Sequence, residues 1–105
     1  MTGTVKPVEP IVVDTNTATW ELFPVDYINV NLDHIPLIDD PDTGMSVLKT
    51  TYRAGFTNPW HSHSCAHGFC VLATRDEDCT FLFITNKPFD IHFVGDESDP
   101  QAPKV

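Results

Sequence analysis

With 105 residues, 41% of them apolar and 20% charged, the chain has the length and balance of one folded domain around one modest core. Fifteen acidic side chains against six basic ones give a formal charge of −9, and no basic stripe interrupts it, which argues against nucleic-acid partners. No apolar run reaches the roughly eighteen residues of a membrane-crossing helix, and "MTGTVKPVEPIVVD" has neither the basic start nor the apolar stretch of a secretory signal, so a cytoplasmic protein without a membrane partner is expected.

Residues 1–19 carry prolines and threonines but few large apolar groups, and read as an extended arm in which "IVVD" (11–14) can add as an edge strand. A single domain is expected over residues 20–95. In "YINVNL" Ile28, Val30 and Leu32 alternate with Asn29 and Asn31, the period of a half-buried strand. His34, ahead of Ile35-Pro36, is expected at the surface. "DDPDTG" (39–44) is dense turn chemistry, because Asp side chains bond nearby backbone, Pro fixes φ and Gly permits positive φ. Its Asp40, Asp42 and Gly44 lack the terminal Glu of a calcium loop, so a plain turn is the reading.

"MSVLKTTYR" (45–53) is next, a strand ending on Arg53, a candidate for pairing with an anionic or keto substrate. Then comes "GFTNPWHSHSCAHGFCVLATRDEDC" (55–79), which holds His61, His63 and His67 and all three cysteines. The three histidines share parity, so in extended backbone they project to one face, and Trp60 stands beside them as a candidate pocket wall. Neutral imidazoles suit Fe(II), Zn, Ni or Cu, and a three-ligand set leaves open positions where a substrate can bind. A closed zinc site from His61, His63, Cys65 and Cys70 lacks the paired Cys-x2-Cys geometry. Cys70 and Cys79 are expected in the core, and all three cysteines reduced. "FCVL" (69–72) and "TFLFIT" (80–85) are apolar on both faces, as strands buried between two sheets are. "FDIHFV" (89–94) alternates again, with His92 on its polar face as a reserve ligand. Residues 96–105 form a polar tail on the surface or frayed. With no capped helical period anywhere, the class is all-β.

Gly55, five residues, then His61-Ser62-His63 resembles the first motif of the cupin superfamily, Gly-x5-His-x-His with a Glu three or four residues further on. His67 stands where that Glu is customary, and Pro59 and the subsequent "HGFCVL" strand agree with the motif. The resemblance covers the middle third of the chain. It implies a double-stranded β-helix, a jelly-roll barrel, holding one divalent metal on His61, His63 and His67. Three-histidine members cleave carbon–carbon bonds of diketones and hydroxyketones with dioxygen, so the resemblance implies an Fe(II) dioxygenase acting on a small keto or hydroxyketo compound. Zinc, manganese or nickel, a non-oxygenase isomerase or lyase, and a non-enzymatic metal- or ligand-binding domain are its alternatives. It also implies a possible homodimer formed through an edge strand.

After Leu72 the resemblance stops. The family pattern continues with a Gly, further strands and a second motif with its own His. This chain instead passes through Ala73-Thr74-Arg75 into "DEDCTFLFIT", which resembles the strand that comes after that second motif. About three strands, on the order of 30 residues, are lacking. The expectation is a segment omitted between Leu72 and Arg75, or a shortened chain that completes its barrel with a partner.

Overall fold

Alternating β-branched, aromatic and polar side chains build strands in the computed structural model, which describes residues 11–104. They are β1 (Glu21–Val25), β2 (Val30–Asp39), β3 (Ser46–Tyr52), β4 (His61–Ser62), β5 (His67–Arg75), β6 (Asp78–Thr85) and β7 (His92–Phe93). A single 3-10 turn, Asp26–Ile28, joins β1 to β2 and ends on Asn29 at φ 52°, a left-handed conformation that Asn tolerates. Among the described residues there is no α-helix, and the chain is all-β.

Every pairing is antiparallel. One sheet runs β1-β2-β3-β6-β5, and β4 pairs with β7 in a second, two-stranded sheet. The two sheets do not close into a barrel. Three of the pairings join strands adjacent in sequence; β3 with β6 spans the whole histidine segment and sets Lys49 against Leu82 and Tyr52 against Cys79. Because side chains alternate across a strand, one face collects Val25, Leu32, Leu48, Tyr52, Phe81 and Phe83, which line the space between the sheets. Phe81 and Phe83 are buried there, and the buried Phe93 of β7 lines the same space with its ring stacked on Tyr27.

The "DDPDTG" turn forms as its chemistry dictates. Asp40 accepts from the Asp42 amide at 3.0 Å and the Thr43 hydroxyl at 2.7 Å, and Gly44 takes φ +76°. A Cβ on Gly44 would stand 2.5 Å from Cδ of Pro88, so both conformation and space require glycine.

Several expectations change. Residues 11–14 form no strand; the chain there enters a turn, and Lys49 reaches back to it through a 2.9 Å hydrogen bond to Thr15 Oγ1. Residues 1–10 of the expected arm, and the C-terminal Val105, lie outside the described residues. The strand β1 goes unannounced in the sequence because Pro24 interrupts its pattern, and Pro is tolerated there since β1 is an edge. The "FDIHFV" alternation yields only two ladder residues, although Phe89, Ile91 and Phe93 all line the cavity as the period requires. The tail is folded back: the Gly95 amide donates to the Pro103 carbonyl at 2.9 Å and His92 pairs with Asp99.

The largest change concerns "FCVL". It lies on β5, expected between two sheets, but β5 is an edge strand with Phe69 59%, Val71 62% and Leu72 49% exposed. Cys70 is likewise exposed and Cys79 only half-buried, so neither is a core residue; Cys65 is buried, and all three thiols are free. β5 continues through Leu72–Arg75, with its ladder to β6 shifting between Val71 and Ala73, and a two-residue turn at Asp76-Glu77 closes the hairpin.

Candidate metal centre

His61 lies on β4 and His63 one residue beyond it, at the mouth of the space between the sheets. Their ring centres are 4.9 Å apart with planes at 80°. Each has its Nδ1 tied to a backbone carbonyl: His61 to Pro59 at 2.6 Å, and His63 to Asp90. An imidazole whose Nδ1–H donates to a carbonyl carries its lone pair on Nε2, so both rings are set as Nε2 donors. Burial holds His63 below the ordinary imidazole range, and the neighbouring His61 and His67 reinforce this against the opposing Asp90 bond. Neutral at ordinary pH, it is in the protonation state that a metal needs.

Two imidazoles sharing one metal through Nε2 at about 2.0–2.1 Å place their ring centres roughly 5 Å apart, a spacing that the 4.9 Å of this pair matches. His67 starts β5, with its ring 4.7 Å from that of His63 and resting on Phe83 at 5.5 Å. Among the described residues no three His, Cys, Asp or Glu side chains are gathered as a ready group. The structure thus supplies a two-histidine pair with a third histidine alongside.

The cavity beside the pair measures about 160 Å³ and is walled mainly by apolar and aromatic side chains, phenylalanines the commonest among them. Polar atoms are few in it and informative. His34 Nδ1 and Asn58 Oδ1 are both buried without a hydrogen-bond partner, and both residues line the cavity. Burial pushes the Tyr52 phenol up, against an opposing bond from Asn58, so Tyr52 remains a neutral hydroxyl on the same wall. His34 is therefore a cavity residue and not the surface residue expected. The sequence carries a signal for this: Leu32 and His34 share parity, and extending the alternation of residues 28–32 by one step turns His34 inward.

Arg53 is 66% exposed along its side chain and held by Asp33 at 2.9 Å and Asp78 at 3.3 Å. Trp60 is 86% exposed. Neither belongs to the cavity wall. His92 is no free ligand either, since its Nδ1 meets Asp99 at 2.6 Å and its Nε2 meets Asp90 at 2.9 Å, and these carboxylates, Asp99 foremost, raise its pKa. Asp90 is the residue that sequence reasoning missed. Besides His63, it engages the Ser64 amide at 2.9 Å, the Ser64 hydroxyl and the Cys65 thiol. Burial opposes its ionisation, but the bonds from Ser64 and His92 hold its carboxyl down at about 2. Asp90 and His92 share parity on the polar face of "FDIHFV", a pattern that marks an outward face and gives no sign that Ser64 will meet it.

No family model, curated protein or solved structure matches this chain.

Proposed function

We propose that this chain carries the metal-binding half of a cupin-type barrel, and that the protein is an Fe(II)-dependent dioxygenase acting on a small keto or hydroxyketo compound. The observation that carries the reading is the His61–His63 pair, each Nδ1 bonded to a carbonyl and each ring on the wall of an aromatic cavity. His67, beside His63, serves as third ligand. Bound Fe(II) would supply adjacent open positions for a chelating substrate and dioxygen. The chain's own contribution is to exclude water with Phe81, Phe83 and Phe93 and to offer the substrate's polar end Tyr52, His34 and Asn58.

The missing strands belong to the same reading, and three local conflicts at one place support it. Phe69, Val71 and Leu72 stand exposed on an edge strand that lacks the usual protecting charges until Arg75. The β5–β6 ladder slips beside Leu72. The hairpin closes on Asp76 at φ 50° and Glu77 at φ 70°, where such turns call for Asn-Gly or Asp-Gly. Sequences normally agree with their fold at every level, so conflicts gathered at one junction fit strands lost between Leu72 and Arg75.

Two measurements test the proposal. The purified protein is expected to contain iron and to consume dioxygen with small diketones; zinc or manganese without oxygen uptake would favour an isomerase, lyase or binding domain. Intact mass is expected above 11.7 kDa, as an omitted segment demands. A mass of 11.7 kDa with a dimer in sedimentation would instead favour a second copy completing the barrel, and a monomer of that mass would end the barrel-completion idea.

A further inference from the structure

We infer that Asp90 is a positioning residue that presets His63 as an Nε2 ligand and fixes the bend between His63 and β5. The inference rests on the metal reading of His61 and His63 for its functional meaning, though its geometry stands without a metal. A backbone carbonyl orients an imidazole only if that carbonyl is itself held. Here the Asp90 carbonyl takes Nδ1 of His63 while the side chain of the same residue accepts from the Ser64 amide at 2.9 Å and from the Ser64 hydroxyl. One residue thus grips both His63 and its successor, from a segment 27 positions away in the chain. The grip is anchored in turn, because His92 bridges Asp90 and Asp99 and so ties it to the folded-back tail. His61 provides a natural contrast: its carbonyl partner, Pro59, is local and owes nothing to Asp90.

A free imidazole in water prefers the proton on Nε2, the reverse of what a metal needs at that atom. Loss of the Asp90 side chain is therefore expected to let His63 drift to the Nε2–H tautomer while His61 keeps its Nδ1–H form. Such supporting groups commonly contribute about 10–100-fold in metal affinity.

The test uses the purified protein, metal-free, with Asp90→Ala, Asp90→Asn and Asp90→Glu. Imidazole nitrogen NMR shifts at mildly alkaline pH read the tautomers. In Asp90→Ala His63 is expected to switch tautomer and His61 to stay, and Co(II) titration is expected to show affinity reduced about 10–100-fold. Asp90→Asn keeps an acceptor for the Ser64 amide and is expected to restore most of both. Asp90→Glu keeps the charge but displaces the carboxylate, so it decides the matter if Asp90→Ala does not fold: a wild-type His63 signature in either variant overturns the proposal. If the unsubstituted chain takes up no Co(II) but the tautomer switch occurs, the positioning role stands and the metal reading falls.

Discussion

If His61 and His63 hold a metal as proposed, replacing His63 by alanine is expected to cut metal uptake by about a hundredfold or more, because it removes one of two imidazoles already set to donate, and supporting groups alone contribute about 10–100-fold. His61→Ala should do the same, since its ring is the other half of a pair at 4.9 Å. The two variants differ in what they leave behind. His61 sits on the short β4 ladder opposite Phe93, whereas His63 touches Phe83, Phe89 and the Asp90 segment, so only His63→Ala should also loosen the chain around residue 90. His92→Ala separates a ligand from a support: both its nitrogens are engaged by carboxylates, so metal stoichiometry should persist, while affinity should fall because His92 anchors Asp90. Equilibrium dialysis against Fe(II) or Co(II), with elemental analysis of the retained protein, measures all three. Unchanged stoichiometry in both His61→Ala and His63→Ala would remove the site from this part of the molecule.

How far such a site can be read from sequence depends on the range of the interactions that make it. The His61-Ser62-His63 spacing is a local fact of extended backbone, and it places both rings at one cavity mouth as parity requires. The inward turn of Phe89, Ile91 and Phe93 is of the same kind, and so is the Asp40–Gly44 turn. The features that sequence reasoning misses are all long-range or conditional. Asp90 meets Ser64 from 26 residues away, and a polar residue on the outer parity of a strand gives no notice of that. His34 is legible by parity, yet Ile35-Pro36 looks like the end of its strand; β2 in fact continues to Asp39 by shifting register between Pro36 and Ile38. "FCVL" is the strand its composition indicates, but not a buried one. Composition states what a segment would gain from burial, not whether a covering layer exists, and among the described residues none covers Phe69, Val71 and Leu72.

Phe83→Ala is expected to be strongly destabilising. Its ring is 7% exposed and lies 5.1 Å from Phe69, 5.4 Å from Phe89, 5.5 Å from His67 and 6.0 Å from His63. Truncating a buried phenylalanine costs about 3–5 kcal/mol, from lost burial and from the cavity left behind. Against the roughly 5–15 kcal/mol that holds a typical domain, that is a large fraction, and more so in a chain whose β5 edge is already uncovered. Urea unfolding monitored by circular dichroism should show the midpoint fall steeply, with Phe83→Leu intermediate because it keeps part of the volume. The same substitution reaches the proposed metal ligands, since the His63 and His67 rings both lean on Phe83. On the proposed metal reading, affinity should therefore drop in Phe83→Leu, a variant expected to stay folded, while His61 keeps its hydrogen bond to Pro59. A loss below about 1 kcal/mol in Phe83→Ala would mean that the aromatic cluster collapses around the gap, and that His63 and His67 are supported by something other than this ring.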